Sequence, residues 1–92
     1  MPEVNLKVKW PDNAVSDVYS PSTIVCQYFT EGDSMTVKEF VSKCTTALEH
    51  ASKRVEERYG YACTSAMSSI YTVQSIAKDQ EGDKTVEILE LT

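Results

Sequence analysis

The chain has 92 residues, 41% apolar and 25% charged, with three Gly, three Pro and a net charge of −5 at pH 7. That composition is globular rather than disordered or fibrous, and the length makes one domain over residues 1–92 that buries about 60–65% of its unfolded surface. Nine Lys and Arg mixed among fourteen acids exclude the clustered cationic field that nucleic acid or an anionic membrane requires, and no segment approaches the ~20 apolar residues that cross a bilayer.

Val4, Leu6, Val8 and Trp10 alternate with Asn5, Lys7 and Lys9, the period of two of a half-buried strand. Pro11-Asp12-Asn13 ends it with turn chemistry, since Pro presets φ while Asp and Asn tolerate left-handed geometry. Ala14 to Tyr19 returns as a second strand, giving a β-hairpin. Ser20-Pro21-Ser22 breaks the sheet, and Thr23 to Phe29 fits either a short helix capped by Ser22 or a further extended segment.

Glu31-Gly32-Asp33 reads as a loop. Thr36 followed by Glu39 has capping-box spacing, and Val37, Phe40, Val41, Cys44, Leu48, Ala51, Val55 and Tyr59 recur at three and four residues, one apolar stripe about six turns long. The opposite face carries Lys38, Glu39, Lys43, Glu49, Lys53, Arg54, Glu56, Glu57 and Arg58. Glu39 to Lys43 and Glu49 to Lys53 have the favourable i,i+4 order, worth about 0.2–0.5 kcal/mol each, so this is chiefly a solvated face. Gly60 supplies the stop.

A second helix over Thr64 to Lys78 places Ala66, Ile70, Val73 and Ala77 on one side, with Ser65, Ser68, Ser69, Thr72 and Ser75 over much of the rest. Asp79 to Asp83 is a loop, and Thr85 to Leu91 is a last strand, rich in β-branched residues. The order β-β-α-α-β predicts an α+β fold: a small antiparallel or mixed three-stranded sheet with two helices packed on one face.

Three cysteines at positions 26, 44 and 63 form no paired framework and point to a reducing, cytoplasmic setting. With His50 they lack the close clips of a zinc site, so neither metal nor cofactor is expected. Cys44 lies on the apolar stripe and reads as core; His50 lies on the charged side and reads as solvated. Cys63, between a glycine turn and a helix start, occupies a place that favours a thiolate. It reads as a small buried thiol or, alternatively, as a nucleophile with His50 as its base. The amide-rich start of the second helix is a further candidate, for an anionic ligand. No phosphate-binding loop, dinucleotide fingerprint, nucleophile elbow or metalloprotease motif is present.

From Tyr59 to Ala77 no side chain is charged. A free helix surface ordinarily carries Lys or Glu, so this stretch is covered by the rest of the chain or meets a partner. Interface cores are depleted in charge and enriched in aromatic residues and Met, which singles out Tyr59, Tyr61, Cys63, Thr64, Ser65, Met67 and Tyr71 as interaction candidates.

Four ordered groups of residues carry a wider likeness: Met1-Pro2-Glu3 leading to Val8-Lys9-Trp10-Pro11-Asp12; Tyr19-Ser20-Pro21-Ser22; Thr46-Ala47-Leu48 with Ala51-Ser52-Lys53-Arg54-Val55; and Tyr59-Gly60-Tyr61-Ala62-Cys63-Thr64-Ser65-Ala66. Together they resemble the small nitrogen-starvation-response family encoded in nitrilase-containing gene clusters of bacteria and cyanobacteria. Asn13 stands where that pattern has a glycine, and Val18 where it often has a cysteine. The resemblance implies a cytoplasmic accessory protein and no established activity; taken with the charge gap it leads to the expectation of a non-enzymatic accessory or adaptor. Its partner would be a protein from the same gene cluster or a second copy of itself. No catalytic residue is implied.

Overall fold

The computed structural model describes residues 3–60 and 64–92. Four strands and two helices follow in the order β1 (Val4–Lys9), β2 (Val15–Ser20), a 3-10 helix (Thr23–Gln27), β3 (Ser34–Thr36), α1 (Val37–Tyr59), α2 (Thr64–Ala77) and β4 (Thr85–Leu91). The sheet runs β2-β1-β4-β3 with every pairing antiparallel. The expected three strands are therefore four. The added one, Ser34-Met35-Thr36, pairs with Glu87, Val86 and Thr85 and offers a single apolar side chain, too little to show a period.

The hairpin follows from its turn. The Asn13 amide donates to the Trp10 carbonyl at 2.9 Å and the Trp10 amide to the Ala14 carbonyl at 2.8 Å, while the Asp12 carboxylate accepts from the Ala14 amide at 3.1 Å. Asn13 has φ 71, the left-handed residue that closes a three-residue hairpin loop. Asparagine is the residue besides glycine that takes this conformation at little cost, which is why it can stand in a glycine's place.

Val4, Leu6 and Val8 of β1, and Trp10 just past its end, are buried and the alternate residues face outward. In β4 the phase breaks. Val8 pairs with Ile88 but Lys7 with Glu90, so Leu89 is an extra, bulged residue and Leu91 regains the inner face opposite Leu6. The outer face is polar, with Lys7 paired across β1 to Asp17 and to Glu90, whose carboxylate lies 3.9 Å from its ammonium.

The undecided Thr23 to Phe29 segment is the 3-10 helix. Buried Ser20 and Ser22 tie its entry, the Ser20 hydroxyl donating to the Ser22 carbonyl at 2.8 Å and the Ser22 hydroxyl accepting from the Ile24 amide at 3.2 Å. Helix α1 has the expected ends: Thr36 accepts from the Glu39 amide at 3.1 Å, and Gly60, at φ 82, donates to the Glu56 carbonyl. Phe40 is fully buried, with Trp10 at 5.5 Å edge-on and Phe29 at 5.5 Å. The Trp10 indole donates to Ser16 Oγ at 3.1 Å, so its one polar atom is satisfied. Among the described residues neither expected i,i+4 ion pair of α1 is formed. Lys43 lies over the Phe29 ring instead, 5.3 Å from its centroid.

Candidate functional site

Burial of Ala66, Ile70 and Val73 fixes which side of α2 meets the core. At 3.6 residues per turn that choice turns Thr64, Ser65, Met67, Ser68 and Tyr71 outward, and all five are exposed. Met67 is 56% and Tyr71 74% accessible; they are i,i+4 neighbours and form one apolar stripe. Tyr59, 48% accessible at the end of α1, has the Arg58 guanidinium 6.0 Å from its ring centroid. The hydroxyl-rich side is divided between cover and solvent. Ser69 and Ser75 are half-buried, Ser68, Ser69 and Thr72 border a narrow groove beside β2, and the Thr72 hydroxyl is turned back onto the Ser68 carbonyl at 3.0 Å.

A wider open groove, about 470 Å³, lies between the helices, lined by Glu49, Ser52, Lys53, Glu56 and Glu57 of α1 and Met67 of α2. Glu49, Ser52, Lys53 and Glu56 recur at i, i+3, i+4 and i+7, so the spacing that marks one helix face was available in the sequence as a signal of this wall. Three carboxylates against one ammonium make it acidic, with the thioether of Met67 at its edge.

The candidate nucleophile and base are not shown together. Cys63, like the interaction candidate Tyr61, lies outside the described residues. His50 is exposed on α1, and its Nδ1 is 3.1 Å from the Tyr28 hydroxyl, with the two rings edge to face; this long-range pairing left no mark in the sequence. Cys26 is exposed on the 3-10 helix and Cys44 is buried, its thiol pushed up to about 12 by desolvation. A thiol so held is inert as a nucleophile at neutral pH. No three His, Cys, Asp or Glu side chains among the described residues stand close enough to hold a metal ion, and no described helix is long and apolar enough to cross a membrane. Among the described residues, exposed Met67 and Tyr71 stand on the charge-free helix α2, next to the acidic groove.

The family model of the nitrogen starvation-induced protein NitG matches residues 5–91. The chain belongs to that family. No curated protein and no solved structure matches it. The match runs from the second residue of β1 to the end of β4, so it includes the hairpin, the serine-tied 3-10 entry and both helices. The nitrogen-starvation family expected from the four sequence motifs is thus the family shown.

Proposed function

We propose that this protein is a non-enzymatic accessory or adaptor of a nitrogen-limitation response, acting by protein–protein association in the cytoplasm through the exposed face of α2 and the end of α1. The observation that carries the reading is exposure without charge: Tyr59, Met67 and Tyr71 are three of the five exposed large apolar side chains among the described residues, and nothing from Tyr59 to Ala77 is charged. Tyr presents large area at low ordering cost, Met adapts to irregular surfaces, and both are enriched where partners meet. The adjoining acidic groove favours a partner with an apolar centre and a cationic rim. An enzyme encoded in the same nitrilase-containing gene cluster is the proposed partner, with Thr64 and Ser65 as rim contacts.

The test is affinity purification from nitrogen-limited cells, with wild type beside a Met67→Glu/Tyr71→Glu variant whose folding is verified by circular dichroism. Wild type is expected to retain a protein encoded in the same gene cluster and the variant to lose it. Retention by both, or by neither, contradicts the proposal.

A further inference from the structure

On the opposite side of the molecule from β3, strand β2 ends the sheet, and its edge has a specific chemistry. The Trp10–Ala14 bond makes that pair the first hydrogen-bonded rung of the hairpin, and rungs alternate in antiparallel strands. Ser16 and Val18 therefore point their backbone groups inward at Val8 and Leu6, while Val15 and Asp17, opposite Lys9 and Lys7, point theirs outward. Their side chains stand on the outer face, Asp17 exposed and Val15 53% accessible.

Two further observations define what would fit there. Across the outer face one row reads Glu90, Lys7, Asp17, alternating in sign and stopping on an anion at the open edge. Below the edge, Asp17, Val18 and Tyr19 line a groove of about 110 Å³ with Ser68, Ser69 and Thr72 of α2, so the underside of an added strand would meet hydroxyls in little space. We infer that the β2 edge accepts an extended segment of another protein as a fifth strand, with Lys or Arg opposite Asp17, an apolar residue opposite Val15 and small polar residues at the inward positions between them.

The backbone groups of Val15 and Asp17 supply the pairing, as in recognition by strand addition, and the alternation of charge supplies selectivity. A second copy of this chain is a poor occupant. Of the antiparallel registers that pair its edge residues, one sets Asp17 against Asp17, where like charges directly opposite are destabilising, and the other sets Asp17 against Val15, where the carboxylate faces no cation. The same carboxylate thus disfavours self-pairing, a use of charge that exposed edges commonly show. This surface is separate from the exposed stripe of α2, so each can fail without the other.

The probe is the capped peptide Thr-Val-Ser-Lys-Ser-Val-Thr, titrated into the ¹⁵N-labelled full chain, beside the same peptide with Glu in place of Lys. Saturable shifts confined to the Val15 and Asp17 amides and their neighbours are expected, with the Glu peptide roughly five- to tenfold weaker and the preference shrinking in high salt. Asp17→Asn should abolish the preference while keeping the binding. Asp17→Pro should abolish the binding itself, because it removes an outward amide without touching the β1 ladder and edge strands tolerate proline. If Asp17→Pro alters the far-UV spectrum, the wild-type and Asp17→Asn titrations decide alone. Absence of saturable binding, shifts centred elsewhere, equal affinity for the two peptides, or dimerisation of the free chain through β2 would each overturn the inference.

Discussion

Helices α1 and α2 are neighbours in sequence and pack on the same sheet, yet they solve the problem of a solvent face in opposite ways. Outside its buried stripe α1 carries charge at nearly every exposed position in its last three turns, including Glu49, Lys53, Arg54, Glu56, Glu57 and Arg58. The outward side of α2 has Thr, Ser, Met and Tyr and no charge. Charged side chains keep a face hydrated and discourage association, so α1 is fixed by what it buries and by its caps, whereas α2 has a second face whose composition the chain's own packing does not require. The lesson is that exposure and charge must be read together: neither the charge gap alone nor the accessibility of Tyr71 alone separates a covered surface from a presented one.

The comparison is broken most severely by removing what holds α1. Phe40 is fully buried between Trp10 and Phe29, and Phe40→Ala is expected to cost about 3–5 kcal/mol, enough to unfold much of a marginally stable domain; denaturant titration measures it. A loss under about 1 kcal/mol would mean that the aromatic cluster is not the centre of the core. Next in size is the cap. Thr36→Ala deprives the Glu39 amide of its acceptor and should lower stability by about 1 kcal/mol, read in the same titration as a shifted midpoint with an unchanged slope.

A smaller effect concerns how the far end of α2 is tied down. The Asp12 carboxyl is held below the ordinary carboxylate range, first by the Gln80 side-chain amide at 3.2 Å and then by the Ala14 amide. A depressed folded pKa contributes stability that is present above the unfolded value near 3.8 and is lost as pH falls through the folded value. Acid should therefore loosen the hairpin from the loop after α2. Gln80→Ala should raise the Asp12 midpoint in an NMR titration, and an unmoved midpoint would remove the amide as its cause.

The legible part of the fold was the part with a period or a cap. Alternation in β1, Pro11-Asp12-Asn13, Thr36 with Glu39, the apolar stripe of α1 and Gly60 each specify their element locally, and the structure forms those elements, although Tyr59, the last residue of the expected stripe, is 48% accessible at the helix end. What stayed hidden depends on distant partners. Ser34-Met35-Thr36 becomes a strand only because β4 lies beside it. The bulge at Leu89 resolves a run, Ile88-Leu89-Glu90-Leu91, whose two phases are otherwise equivalent. The 3-10 helix is a local exception: it is the Ser22-capped reading of Thr23 to Phe29, tied by the hydroxyls of Ser20 and Ser22, which the apolar spacing of Ile24, Val25 and Phe29 did not separate from an extended segment.

The same limit applies to the candidate site. The charge gap marked the right stretch, but Ala66, Ile70 and Val73 are as uncharged as Met67 and Tyr71, and only packing on the sheet separates the buried set from the exposed one. Ala47 and Ser52, outside the predicted stripe of α1, are buried as well: Ser52 lies on the flank that faces Met67 of α2, and Ala47 on the opposite flank, in the row of Lys43 and His50, which meet Phe29 and Tyr28. His50 looked solvated on its helix, and its Tyr28 partner comes from a segment whose structure the sequence left open.

The most direct test of α2 as the presented face uses α1 as its control. With the partner purified, its affinity would be measured for wild type, Met67→Glu, Tyr71→Glu and the α1 variant Arg54→Glu. Loss of about thirtyfold or more for each α2 variant, the scale of an interface hot spot, with less than about threefold for Arg54→Glu, is the predicted result. Equal losses for both helices, or none for α2, would contradict the account.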